Sequence, residues 1–128
     1  MAEKHKILIV DDEPGIRGLL AYELKYLGYE TAIAEDAEQA LVLLRGSTFD
    51  LVITDIRMPG AIDGIDLIEI YRKEHPSQKV IFITGYAIEE KLNQALQNPL
   101  NRCFKKPFDL HELSRSVAQC LEMRPLET

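Results

Sequence analysis

The sequence predicts an α/β protein of the doubly wound kind, a parallel sheet with helices on both faces. Two observations predict it. Short β-favouring runs alternate with helically spaced segments, a β-α unit repeated five times along the chain. The first of these runs, Ile7-Leu8-Ile9-Val10, is apolar without a break, as a strand covered on both faces must be. Crossovers between such strands are expected to be right-handed.

The elements follow in order. Ile7–Val10 ends in Asp11-Asp12-Glu13, and Pro14 suits the first turn of a helix. Ile16, Leu20, Leu24 and Leu27 recur at helical spacing, and Gly28 is placed to end that helix. Tyr29 to Ala34 reads as the second strand. Asp36, with Gln39 three residues on, resembles a capping box that opens a helix running to Gly46. Leu51-Val52-Ile53-Thr54-Asp55 is the third strand, stopped on an acid and followed by the breaker Pro59-Gly60. A helix from about Gly64 to Glu74 is barred from continuing by Pro76. Lys79 to Thr84 is the fourth strand. Ile88, Leu92, Ala95 and Leu96 mark a fourth helix, which stops near Asn98-Pro99. Arg102 to Lys105 is a short fifth strand. Asp109 and Glu112 cap a last helix, with Leu110, Leu113, Val117, Cys120 and Leu121 on its inner face.

Bulk properties narrow the function. At 128 residues the chain fits one domain, expected over 1–124, with 125–128 as a tail or the start of a linker. The net charge of −6 and the lack of any Lys/Arg cluster beyond Lys105-Lys106 argue against direct nucleic-acid binding. The apolar run near the N-terminus is too short for a signal peptide or a membrane span, so a cytoplasmic protein with no membrane partner is expected. Cys103 and Cys120 have no metal-ligand spacing and read as two buried thiols in a reducing compartment.

The chemistry collects at the strand ends. If strands one and three are neighbours, Asp11, Asp12 and Asp55 converge on one crevice, where open α/β sheets bind ligands. Carboxylates that close repel one another, and a divalent cation removes the conflict. Hard oxygen donors suit Mg²⁺, and no His or Cys stands in these strands to favour zinc or copper. Thr84 adds a hydroxyl at the end of strand four, and Lys106 an ammonium after strand five. A metal, a cation, a donor and a free carboxylate suit phosphoryl transfer, and the carboxylate can itself be the acceptor.

These residues carry a resemblance. Asp11-Asp12, Asp55 within Asp-Ile-Arg-Met-Pro-Gly, Thr84-Gly85 and Lys106-Pro107-Phe108, each at a strand end and in this order, resemble the receiver domain of bacterial response regulators, along nearly the whole chain. The resemblance implies a flavodoxin-like (βα)5 fold with strand order 2-1-3-4-5. It implies that Asp55 is the phosphoacceptor for a sensor histidine kinase or phosphotransfer protein, in a Mg²⁺-dependent reaction that switches conformation to control an output domain or partner. Asp12 would bind Mg²⁺ directly, Asp11 through water, and Asp55 and the Arg57 backbone carbonyl would complete the protein's share of the shell. Thr84 would bond a phosphoryl oxygen, Lys106 would pair with its charge, and Lys106-Pro107 would be cis. Such a module catalyses only its own phosphorylation and slow dephosphorylation. Side chains at the positions of Arg57 and Tyr86 tune water's attack on the phosphoryl group in receivers, and a cation and a bulky ring there would slow it.

Three places depart from the family pattern. Cys103 stands where receivers usually carry an aromatic residue, and the adjacent Phe104 should point to the other face of the strand. The loop Met58 to Gly64 is one residue longer than usual. Asn98-Pro99-Leu100 replaces a small turn. Two other functions compete. A degenerate, phosphorylation-independent interaction module is allowed by Cys103 and the longer loop, but the five site groups stand against it. An aspartyl-phosphate hydrolase commonly wants a second acid two residues beyond the nucleophile, and Arg57 stands there. No output segment follows the last helix of this sequence, which fits a stand-alone receiver or one domain of a larger protein.

Overall fold

A computed structural model describes residues 4–85 and 89–122. Five strands alternate with five helices: β1 (Lys6–Val10), α1 (Pro14–Tyr26), β2 (Glu30–Ala34), α2 (Ala37–Gly46), β3 (Leu51–Asp55), α3 (Gly64–Arg72), β4 (Val80–Thr84), α4 (Glu90–Ala95), β5 (Asn101–Lys105) and α5 (Leu110–Glu122). The strands form one parallel sheet in the order β2-β1-β3-β4-β5, as the resemblance implies. Sequence order reverses between β1 and β3, and this leaves a crevice at their carboxyl ends.

Period-two alternation splits the apolar strands between two cores. Ile7, Ile9, Leu51, Ile53, Ile81 and Ile83 face α1 and α5, against Leu20, Leu24, Leu113, Val117 and Cys120. Leu8, Val10, Val52, Val80 and Phe82 face the other way, against Ala40, Leu44, Ile65, Ile68 and Leu92. β3 and β4 are buried at every residue, which is why their sequences run apolar until they meet Thr54-Asp55 and Thr84.

The helix ends show what local chemistry sets. Pro14 opens α1, and Gly28 closes it at φ 98°. Its N–H bonds Lys25 O at 2.9 Å while Tyr29 N–H bonds Leu24 O at 3.0 Å, the paired bonds of a Schellman stop. Asp36 Oδ1 accepts from Gln39 N–H at 2.8 Å, but Gln39 Oε1 reaches back to Glu35 rather than to Asp36. The reciprocal box belongs to α3, between Asp63 and Asp66. Asp109 Oδ1 accepts from His111 and Glu112 at the start of α5.

Two helices are shorter than the spacing predicts. α3 stops at Arg72, because Pro76 disfavours helical backbone at His75 and the Arg72 guanidinium turns to Gln78 O at 2.6 Å. α4 spans only Glu90–Ala95; Ile88, expected in it, lies outside the described residues, as do Tyr86 and the tail from 123. The Lys106–Pro107 bond is cis, as expected.

The start of α3 presses on the end of β3. Gly64 N–H donates to Ile56 O at 2.8 Å, and a Cβ on Gly64 would collide with the Asp55 carbonyl oxygen and lie 3.1 Å from Thr54 Oγ1. Thr54 Oγ1 itself donates to that carbonyl at 2.8 Å, so the backbone there has little room to retreat. Gly64→Ala should therefore destabilise the fold by ~2 kcal/mol, read from urea unfolding, and a neutral effect would show that the loop retreats freely.

Candidate functional site

β1 and β3 pair with Val10 opposite Thr54, so the residues that follow, Asp11 and Asp55, emerge side by side. Both are almost fully buried, at 1% and 6% exposure. Asp11 N–H continues the ladder to Ala34 O, and Arg17 Nη1 donates to the Asp11 carbonyl at 2.8 Å, which fixes the turn into α1. Asp11 Oδ1 accepts from Glu13 N–H at 2.8 Å. Asp11 thus serves the helix start with one oxygen and faces the crevice with the other. Asp12 and Glu13 are exposed. Ligand oxygens of Asp11, Asp12, Glu13 and Asp55 all lie within 4.8 Å of one another.

Lys106 answers this cluster. Its N–H bonds Thr84 O at 2.7 Å, which carries the backbone just past the ladder of β5. Its Nζ lies 3.1 Å from Asp11 Oδ2, 3.1 Å from Asp55 Oδ2 and 3.0 Å from Glu13 Oε1. Burial works against this ammonium, but its hydrogen bonds to Glu13 and Asp55 and its pairing with Asp11 hold its pKa above the ordinary lysine range. Asp55 is pushed above the usual carboxylate range, first by burial, against the opposing Lys106 hydrogen bond, and further by the charge of Asp11. Asp11 Oδ2 makes its ion pair with Lys106 but no hydrogen bond of good geometry. A buried carboxylate oxygen left this way, among three other acids, fits a hard divalent cation such as Mg²⁺.

Thr84 is 3% exposed and lines a cavity of about 210 Å³ with Ile56, Arg57, Ile65 and Leu92. The Arg57 side chain turns outward to pair with Glu89, just before α4. The structure therefore gathers Asp11, Asp12, Asp55 and Lys106 into one cluster and sets Thr84 and Arg57 on an adjoining cavity. Sequence reasoning left out Glu13 as a partner of Lys106, Arg17 as a brace of the β1–α1 turn, and Gly64. The run of three acids was a signal for Glu13. His5, His75 and His111 are exposed and lie outside the cluster.

The comparisons agree on one family. The model of the response regulator receiver domain matches residues 7–118. The response regulator protein PilR of Pseudomonas aeruginosa is 38% identical over 94% of this chain, which covers 27% of PilR. The chain spans about a quarter of the length of such curated relatives. A CheY-like receiver domain protein from Methanospirillum hungatei superposes with a TM-score of 0.87 at 31% identity, covering 94% of this chain and 95% of that one. The response regulator TrrA of Thermotoga maritima, solved in complex with Mg²⁺-BeF, gives 0.77 at 38% identity, covering 91% and 98%.

The electrostatics give a direct test in metal-free protein. A native pKa above the unfolded value means that the folded state binds the proton more tightly, so stability falls as pH rises through that window. Asp55→Asn removes this loss. The variant should melt about 2–5 °C above wild type at neutral pH. The gap should close as pH drops below 3.8, the unperturbed value. A variant that melts lower than wild type at neutral pH would show that the Lys106 bond outweighs burial and repulsion.

Proposed function

Because this chain belongs to the receiver-domain family of response regulators, we propose that it accepts a phosphoryl group on Asp55 from a sensor histidine kinase or phosphotransfer protein and passes the change to an output domain or partner. The observation that carries this reading is the single ammonium of Lys106 shared by Asp11, Glu13 and Asp55. It neutralises part of a four-acid cluster and leaves the rest to a cation and an incoming phosphoryl group.

An Asp55 carboxylate oxygen attacks phosphorus of a phosphohistidine. The O–P bond forms as the P–N bond breaks, and the imidazole departs with the electron pair and takes a proton from solvent. Lys106, already held as an ammonium, shifts from the carboxylates to a phosphoryl oxygen. Thr84 donates its hydroxyl to another. Asp11, Asp12, Asp55 and the Arg57 carbonyl would hold Mg²⁺, with Glu13 beside them. When bound, the ion offsets the negative charge that the acids and the phosphoryl group bring together. The rest of the chain's chemistry is slow loss of the phosphoryl group to water, so it acts as a switch and not as an enzyme that releases product. Arg57 stands where a hydrolase's second acid would be, and its side chain serves Glu89 instead.

Among the described residues no helix is long and apolar enough to cross a membrane, which supports the cytoplasmic assignment we propose. The family match over residues 7–118 supports a receiver unit over 1–124.

Wild-type protein should take label from a small phosphodonor only with Mg²⁺, and Asp55→Asn should fall to background; label retained on that variant overturns the reading. Mg²⁺ should raise the melting temperature of wild type, and Asp12→Asn should lose most of that shift. Thr84→Ala should still take label but lose part of its phosphorylation-dependent partner binding.

A further inference from the structure

Outside the acid cluster, one polar network joins two elements that the sheet does not. Asp63 and Asp66 cap α3 reciprocally: Asp63 Oδ1 accepts from Asp66 N–H at 2.8 Å, and Asp66 Oδ2 accepts from Asp63 N–H at 3.1 Å. The second oxygen of each carboxylate, Asp63 Oδ2 and Asp66 Oδ1, accepts from Lys91 Nζ at 2.8 Å. Each of the four oxygens has a donor. The hydrogen bonds of Lys91 hold Asp66 below the usual carboxylate range, and those of Asp63 and Asp66 raise Lys91 above its own. One ammonium thereby ties the start of α3 to the first turn of α4.

An isolated surface ion pair contributes little. This one differs in two ways. Both carboxylates are already fixed by backbone N–H groups, so little side-chain freedom remains to be lost on pairing. And α4 has little else to hold it: of its six residues only Leu92 is buried. At the other end of the network, Gly64 follows Asp63 and lies against the Asp55 carbonyl, with its N–H on Ile56 O. The contacts run unbroken from α4 through Lys91, Asp63 with Asp66, and Gly64 to the backbone of Asp55. The Arg57–Glu89 pair is a second tie across the same gap.

We propose that Lys91 is a positioning residue that couples the first turn of α4 to the backbone of Asp55, so that the acceptor and α4 move as one unit. The inference rests on the reading of Asp55 as phosphoacceptor. It assigns the tie to the α3 cap, in the loop that is one residue longer than the family pattern. Lys91 touches neither the acid cluster nor Lys106 through any of these bonds; it acts through the two aspartates.

The test compares wild type, Lys91→Ala, Lys91→Arg, Asp66→Asn and the Lys91→Ala/Asp66→Asn double variant. Asn at 66 keeps a side-chain acceptor for the Asp63 N–H, so the cap survives while the charge is lost. In metal-free protein, Lys91→Ala should speed amide exchange in α4 and at Gly64 and Ile65 by about tenfold, with α1 and α2 unchanged. With Mg²⁺ and beryllofluoride as phosphoryl mimic, followed by ¹⁹F NMR, it should bind the mimic about fivefold more weakly or worse. Lys91→Arg should restore both, since a guanidinium also bridges two carboxylates. The double variant should bind the mimic no worse than the weaker single variant. Exchange unchanged in Lys91→Ala, or losses that simply multiply in the double variant, would overturn the coupling. If wild type takes no beryllofluoride, the phosphoacceptor reading fails, and the exchange at Gly64 and α4 alone decides the fate of the tie.

Discussion

The site depends on one ammonium shared among three carboxylates. Parallel order with β1 beside β3 brings Asp11 and Asp55 together whether or not their charges tolerate it. Asp12 and Glu13 follow in the chain and add to the crowd. Four acids against one lysine leave three negative charges in a crevice where two of the acids are buried. The sheet core is what makes this arrangement affordable: apolar strands packed on both faces hold the strand ends together against the repulsion. Lys106 reaches Asp55 and Asp11 from the far side of β4, with its stem at van der Waals distance from the Cβ position of Gly85. A phosphoryl group or a divalent cation would meet a site that is already strained in charge and braced in geometry.

The bracing is local and specific. Asp11 spends one oxygen on the start of α1, and Arg17 clamps its carbonyl, so the acid cannot swing away from Asp55. Thr54 and Gly64 close on the Asp55 carbonyl from the strand and from α3. Reading Asp11 as a helix-end acid and reading it as a site acid are therefore not rivals, because its two oxygens divide the roles.

The fold was legible in the sequence wherever one short-range signal was enough. Unbroken apolar runs marked β1, β3 and β4; Pro14 and Gly28 bounded α1 through backbone preference alone. The site acids and Lys106 were legible because each stands at a strand end, and strand ends converge in this topology. Gly64, Lys91 and Glu13 were harder to read. Gly64 matters through a backbone contact with a strand nine residues earlier, which no periodicity records. Lys91 looks like any exposed lysine on a polar helix face until α3 is placed beside it. The Asp63–Asp66 box was harder to read because apolar spacing marks α3 only from Gly64 onward and carries no signal of the residue that caps it. The C-terminal bound of α4 was overextended because Leu96 continues the apolar spacing while the backbone tightens into turns from Leu96 to Asn98.

What α4 rests on then bears on how a signal would leave the site. Alternation in β5 sends Phe104 to the α1 and α5 core and leaves Cys103 on the side of α3 and α4, half-buried and next to Phe82 in register. Burial pushes the Cys103 thiol up, so it stays protonated and acts as a small apolar side chain. An open groove of about 360 Å³ lies between α3 and α4, with Ile65, Ile68, Phe82 and Ala95 on its apolar side and Glu69 and Arg72 on its polar side. With so little apolar packing under α4, the helix is placed by its ends: Lys91 on Asp63 and Asp66 at the first turn, and Asn101 Nδ2 on the Ala95 carbonyl at 2.7 Å at the last. Polar ties of this kind exchange partners at low energetic cost, whereas a packed ring must leave a cavity behind. On the proposed coupling, the path from Asp55 to α4 runs through the α3 cap, while the aromatic ring of β5, Phe104, faces the opposite side of the sheet.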